Sequence, residues 1–190
     1  MAKHNLKYLD LGLRAYCLST NKYPLIRDAV REDISEIQEL IMQLAIQEGL
    51  PEHVHCTDEQ LIKALFEGGD TPIGKPCVFV KVVEHPTGPK RLAAFTLFWY
   101  DFPTWSGKHG IYIEDICVRE ELRGQGYGSY LMSHLAQICV NSGFSRLAWW
   151  VKNSNTTAIE FYERMNASIM DDFTVRHLEG EGLHELARGI

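Results

Sequence analysis

Three strand-length runs, Cys77 to Glu84, Arg91 to Phe102 and Ile111 to Val118, succeed one another with only turn-forming clusters between them. The first two are separated by His85-Pro86-Thr87-Gly88-Pro89-Lys90, a connection of hairpin length, and the last two by a turn at Gly107 to Gly110. Strands joined so closely have too little chain to cross over, so they pair antiparallel as a meander. The segment after the third run breaks that pattern. From Gly128 to about Val140 the apolar residues Leu131, Leu135, Ile138 and Cys139 recur at helical spacing, Gly143 stops the helix, and Leu147 to Val151 reads as a further strand. A helix between two strands is a crossover connection. The chain is therefore predicted to build a mixed α/β (α+β) sheet, mostly antiparallel and twisted, flanked by helices.

The segments on either side extend this order. Pro24 to Asp28 reads as a short strand. Asp33 with Glu36 three residues on has capping-box spacing, and Ile34, Ile37, Leu40, Ile41, Leu44 and Ala45 place one apolar face on the helix they begin. Thr57 with Gln60 repeats the capping pattern for a second helix through Phe66, which Gly68-Gly69-Asp70-Thr71-Pro72 ends. Beyond the crossover, Thr156 to Met165 reads as a short helix, Ala167 to Met170 and Phe173 to Leu178 as a closing pair of strands, and Gly182 to Arg188 as weakly helical. With 190 residues, 45% of them hydrophobic, the chain suits one domain with a substantial core. That domain is expected over residues 23–190. Residues 1–22 stand outside the periodic pattern as an N-terminal extension, open to reading as a tail, a short helix or a partner contact.

Charge and cysteine usage narrow the function classes. A net charge of −6 provides no bulk attraction for nucleic acid or an anionic membrane, whereas a small cationic substrate is compatible with it. The five cysteines, Cys17, Cys56, Cys77, Cys117 and Cys139, are odd in number, widely spaced and without a CxxC pair. This argues against a disulfide framework or a zinc site and for a reducing, cytoplasmic setting. The histidines show no ligand spacing, and no metal is expected. No apolar run approaches the roughly 18 residues of a membrane span. Lys3, His4, Lys7, Asp10 and Arg14 interrupt the N-terminus where a signal peptide would need an apolar core.

The strongest local signal is Arg123-Gly124-Gln125-Gly126-Tyr127-Gly128, between the third meander strand and the crossover helix. Glycines let backbone N–H groups converge without Cβ obstruction, and at a helix N-terminus such groups form an anion site. Arg123 can add charge-assisted hydrogen bonds to phosphate. A Walker loop fails because Gly128 is followed by Ser129 with no lysine. A dinucleotide fingerprint fails because the spacing is GxGxG, the loop comes after a meander, and Asn141 to Gly143 occupy the stretch where an acidic residue should fall. A glycine-rich turn that only caps a helix remains open on the loop alone.

Arg-x-x-Gly-x-Gly after an apolar strand and before an amphipathic helix resembles the acetyl-CoA loop of the GNAT superfamily of N-acetyltransferases, and the resemblance runs from about Tyr23 to Arg188. Ile113-Glu114-Asp115-Ile116-Cys117-Val118 is similar to that family's central strand, and Asn155-x-x-Ala158-x-x-Phe161-Tyr162 with Ala167 to its final signature. Within the family the likeness is to the spermidine/spermine (diamine) and thialysine acetyltransferases. It rests on the Tyr-Ile-Glu-Asp start of the central strand, the Tyr100-Asp101-x-Pro103-x-Trp105-x-Gly107-Lys108 turn, and Leu40-Ile41-x-x-Leu44-Ala45-x-x-Glu48.

The resemblance implies acetyl-CoA as cofactor, held by Arg123, Gly124, Gln125, Gly126, Tyr127, Gly128 and Ser129 at the pyrophosphate, by the Ile116, Cys117 and Val118 stretch at the pantetheine, and with Asn155 and Tyr162 nearby. It further implies an acceptor cleft lined by Glu48, Asp101, Trp105, Glu114 and Asp115, and a homodimer. An alkylamine has a pKa near 10.4 and must lose a proton before it attacks, for which Glu114 is the candidate base, directly or through water. Neighbours on a regular strand face opposite sides, so Glu114 and Asp115 share a cleft only if a bulge re-aims one of them. The Ile116 N–H is the candidate oxyanion donor and Tyr162 the candidate acid for the leaving thiolate. The acidic set favours a polyamine or diamine-like small molecule. A lysine- or thialysine-type amino acid, a protein substrate, and a catalytically silent acyl-CoA-binding module stay open as alternatives.

Overall fold

The computed structural model describes residues 24–68, 71–72 and 74–189. The expected extension 1–22 lies outside the described residues. The chain divides into two compact units, one ending at Asn155 and the other beginning at Thr156.

The first unit is built on a five-stranded sheet in the order β1-β2-β3-β4-β5. Strands β1 (Ile26–Asp28), β2 (Phe79–His85), β3 (Gly88–Asp101) and β4 (Gly110–Val118) pair antiparallel with their sequence neighbours, and β5 (Leu147–Trp149) adds parallel to β4. The meander and the crossover are thus as the sequence pattern requires, with β5 two residues shorter than expected. Helix α1 (Ile34–Glu48) and the shorter α2 (Asp58–Ile62, continued by a π turn at Lys63–Glu67) precede β2, and α3 (Tyr127–Ser142) makes the crossover.

Two apolar layers sandwich the sheet. On one face Ile34, Ile37 and Leu40 of α1 and Leu61 of α2 meet Val80, Val82, Phe95 and Cys117. On the other, Tyr127 and Leu131 of α3 meet Val83, Ala93, Ala94, Ile116 and Val118. Leu131 and Leu135 are wholly buried, each contributing about 1.5–3 kcal/mol relative to an exposed position.

The two capping boxes read from the sequence have different fates. Thr57 and Gln60 form theirs, Gln60 N–H donating to Thr57 Oγ1 at 3.3 Å and Thr57 N–H to Gln60 Oε1 at 2.9 Å. Asp33 occupies the N-cap of α1 but its side chain makes no capping bond to that helix. Its carboxylate accepts instead from Arg27, at 2.6 and 2.9 Å, and from Val30 N–H at 2.8 Å. The Arg27 guanidinium arrives from β1, and a charge-assisted bidentate pair outcompetes a single N-cap bond.

In the second unit, α4 (Thr156–Glu163) and α5 (Gly180–Arg188) form where helices were expected. The closing strand pair does not. Residues 167–178 are neither strand nor helix, and Ile169, Met170, Phe173, Val175 and Leu178 are exposed. Their alternation is strand-like, but a strand exists only where another edge accepts its hydrogen bonds. No helix among the described residues is long and apolar enough to cross a membrane.

Candidate active site

The site is organised by an irregularity in β4. Leu97 pairs with Asp115 and Phe98 with Ile113, so the register slips and Glu114 is the extra residue of a bulge. The consequence for side-chain direction comes from alternation. Phe98 lies on the α3 side, its ring 6.0 Å from Tyr100, which in turn meets Phe144 beyond α3 at 5.6 Å. Ile113 shares that side, which turns Glu114 toward α1. Asp115 is opposite Leu97, which packs in the α1 layer, while Ile116 packs under α3. Both carboxylates therefore emerge on one face. The buried Thr96 hydroxyl donates to the Asp115 carbonyl at 2.9 Å and pins the bulged peptide.

Glu114 is exposed and Asp115 partly buried, and among the described residues neither has an ion-pair partner. Burial, reinforced by the adjacent Glu114 charge, pushes the Asp115 carboxyl up to about 6. On the same face Tyr112 stacks on Trp99 at 4.5 Å and meets Trp150 edge-on at 5.8 Å. Burial and the nearby Glu114 charge push its phenol up to about 12.

The raised Asp115 carboxyl has a stability consequence. The folded chain holds a proton on Asp115 between about pH 4 and 6 that the unfolded chain has released, so this group makes folding less favourable as pH rises through that window. Asp115→Asn should stabilise the chain at pH 7.5 by on the order of 2 kcal/mol, with the gain vanishing toward pH 4. Thermal unfolding of both chains across that range checks it, and a difference independent of pH would contradict the burial of this group.

Below the bulge β4 loses its outer neighbour. Pairing with β5 covers only Ile111 to Ile113. The Arg119 N–H donates to Ala93 O at 2.8 Å, which makes Ala94 and Val118 a non-hydrogen-bonded pair of the β3–β4 ladder. By alternation Ile116 is of the same kind, so the main-chain groups of Ile116 and Val118 face away from β3 toward the open edge. Cys117 is the opposite case. Its main chain is spent on β3, and its buried sulfur, raised in pKa by burial, accepts from Gln43 Nε2 at 3.2 Å. Cys117, one of the expected cofactor contacts, has its main chain turned to β3 and its side chain buried. The Val118 carbonyl is also committed, to Gln43 Nε2 at 3.1 Å and Arg123 Nε at 3.2 Å.

Five residues past β4 the glycine loop opens α3. Gly124 has φ +70° and Gly126 φ +89°, conformations that side chains with a Cβ rarely adopt. Gly126 is the N-cap of α3 and no side chain caps that helix. The first N–H groups of a helix have no partner four residues back within it, and a helix end of this kind suits an anion. A Cβ built on Gly124 meets nothing within 4 Å, so there is open space at that residue. Tyr127 directs its side chain into the core at 2% exposure, and Gln125 Nε2 donates to Glu121 O at 3.0 Å. Gly128 and Ser129 continue the first turn of α3. These groups fit a diphosphate, with the exposed Arg123 beside them.

The other expected residues are spread more widely. Glu48, at the end of α1, accepts from Asn155 Nδ2 at 2.6 Å, and its carbonyl from Lys152 Nζ at 2.7 Å. Asp101 pairs with Gly110, four residues or about 13 Å up the strand from Glu114. Its Oδ2 takes Arg146 Nη2 at 2.5 Å, a bond that ties β3 to the residue before β5. Trp105 sits in the β3–β4 turn at 92% exposure. The structure thus brings Glu114, Asp115 and Ile116 together and leaves Asp101 and Trp105 at the far end of β4. Tyr162 belongs to the second unit, on α4, its ring 5.1 Å from Phe161. Gln43, whose side chain ties α1 to Cys117 and Val118 of β4, carries no local signal in the sequence.

Comparison with known proteins bears on this geometry. The profile of the Acetyltransferase (GNAT) family matches residues 50–167. A thialysine N-epsilon-acetyltransferase of Bos taurus is 32% identical over 170 residues, covering 87% of this chain and 98% of the relative. An L-ornithine N5-acetyltransferase of Arabidopsis thaliana is 30% identical over 199 residues, covering 85% of this chain and 86% of the relative. Among solved structures, an integron cassette protein from the mobile metagenome of V. cholerae superposes with a TM-score of 0.68 at 23% identity, over 86% of this chain and 97% of that one, a likeness of fold.

Proposed function

The chain belongs to the acetyltransferase (GNAT) family, an N-acetyltransferase with acetyl-CoA as acyl donor, and from that premise we propose that its acceptor is the primary amine of a small diamine-like molecule. The observation that carries this reading is the β4 bulge, which turns two carboxylates without cationic partners among the described residues onto one face beside the open strand edge. One ammonium can pair with Glu114 while a second cationic centre is held electrostatically by its neighbour.

Acetyl-CoA supplies an activated acyl group, and the chain's own residues do the rest. Gly124 to Ser129 hold the diphosphate through main-chain N–H groups. The outward N–H groups of Ile116 and Val118 would hold the pantetheine arm along the open edge, and the Ile116 N–H would supply the donor for the acyl oxygen. The exposed Glu114 receives the ammonium, and the carboxylate pair accepts its proton. A carboxyl titrating near 6, as Asp115 does, is largely ionised at neutral pH yet closer to the operating pH than an ordinary carboxylate, which suits a general base. Tyr162, which the family's final signature offers as the acid, would supply the proton that a departing thiolate needs. Glu48 and Asp101 are engaged by Asn155 and Arg146, which leaves few carboxylates for a long polycation and favours short acceptors.

A second reading is the side-chain amine of a diamino acid, which the names of the thialysine and ornithine relatives favour. A turnover screen with spermidine, short diamines, thialysine, ornithine, lysine and monoamines of matched length separates the two. Glu114→Gln is expected to lower kcat/KM at least tenfold more for a diamine than for its matched monoamine. Equal losses on both would remove the diamine-like reading.

A further inference from the structure

Helix α1 reaches the end of β4 with a stripe of three polar residues at helical spacing, Glu36, Glu39 and Gln43. The two glutamates hold the buried Arg119, at 2.6 and 3.4 Å. Gln43 does something different. Its Nε2 donates to the Val118 carbonyl at 3.1 Å, and its Oε1 accepts from the Glu120 N–H at 3.1 Å. One carboxamide thus spans Arg119 and joins the last residue of β4 to the first residue of the 3-10 turn Glu120–Leu122 that leads into the glycine loop.

We propose that Gln43 is a positioning residue for the cofactor: its amide fixes the spacing between the open edge of β4 and the glycine loop, the two stretches of main chain that grip acetyl-CoA. The inference rests on the functional reading above and extends it to a residue that touches neither substrate. Its chemistry is specific. The position must donate to a carbonyl and accept from an N–H at once, which a neutral amide does and neither a carboxylate nor an ammonium can. The same bond, with Arg123 Nε, occupies both lone pairs of the Val118 carbonyl. A cofactor amide at this point is therefore left with the Val118 N–H. Arg123 is held by Nε at the same carbonyl, beside the glycine loop.

The test is equilibrium binding of acetyl-CoA to the wild type, Gln43→Leu and Gln43→Glu between pH 5 and 8, each variant compared with wild type at the same pH. Thermal unfolding and kcat at saturating acetyl-CoA accompany each. Gln43→Leu is expected to weaken binding about tenfold with kcat changed by less than about twofold. Gln43→Glu keeps the side chain's shape. Ionised, it faces the Val118 carbonyl with no donor and should bind as weakly as Gln43→Leu. Protonated, it regains an O–H donor beside its acceptor, so its deficit should shrink toward pH 5. A residue that only packs would give a deficit that does not vary with pH. Unaltered affinity in both variants, or a pH-independent loss in Gln43→Glu, overturns the role of Gln43. A wild-type chain that binds no acetyl-CoA overturns the functional reading itself, and this inference with it.

Discussion

Gly126→Val should cost the chain its acetyl-CoA affinity by a hundredfold or more, and Gly124→Ala should lower it about tenfold in a protein that still folds. The two substitutions probe one loop in different ways. Gly126 is the N-cap of α3 at φ +89°. A β-branched residue is strained there by about 1–3 kcal/mol and would either swing the first N–H groups of the helix off target or set two methyls among them. At Gly124 the protein offers nothing within 4 Å of an added methyl, so Ala costs about 1 kcal/mol for its φ of +70° and meets no steric clash. A methyl that touches no protein atom yet weakens ligand binding marks that space as the ligand's. Equilibrium binding paired with thermal unfolding separates the two effects. Wild-type affinity in Gly126→Val would take the diphosphate away from this loop.

Tyr162→Phe should lower kcat roughly a hundredfold while leaving the dissociation constant of acetyl-CoA within about twofold. The phenyl ring retains the contact with Phe161, 5.1 Å between centroids, and the helix backbone keeps the bonds from Met165 and Ala167 N–H to the Tyr162 carbonyl. Only the O–H is lost. A thiolate leaving group, with a thiol pKa near 8.5, departs more readily when a phenol of pKa near 10 hydrogen-bonds to it and gives up its proton, which solvent later restores. Turnover with both substrates saturating is the decisive quantity, since a packing role would alter binding and thermal stability before it altered kcat. An unchanged kcat removes Tyr162 from the chemistry.

Both predictions concern residues that were readable in the chain, whereas several of their neighbours were not. Thr57 and Gln60 formed the capping box their spacing announced, because both partners lie within one helical turn. Asp33 and Glu36 have the same spacing and did not. Arg27 claimed Asp33, while Glu36 turned to Arg119, 83 positions away, and to the Leu92 N–H. Residues 167–178 alternate like strands and have no strand conformation, since alternation describes a face and not an available edge. The bulge at Glu114 was required by the chemistry of two adjacent carboxylates, but only the pairing of Leu97 and Phe98 locates it.

By itself the order of residues determined the antiparallel meander, the helical crossover and the glycine loop at the start of α3. These depend on side-chain period and on glycine backbone freedom, which act between residues a few positions apart. The tertiary structure alone decided which face the two adjacent carboxylates share, which main-chain groups of β4 face outward, and that Gln43 closes on Val118 from 75 positions away. A hydrogen bond forms with whatever polar group the folded chain brings within about 3 Å, and that neighbour is set by the packing of the whole sheet and its helices.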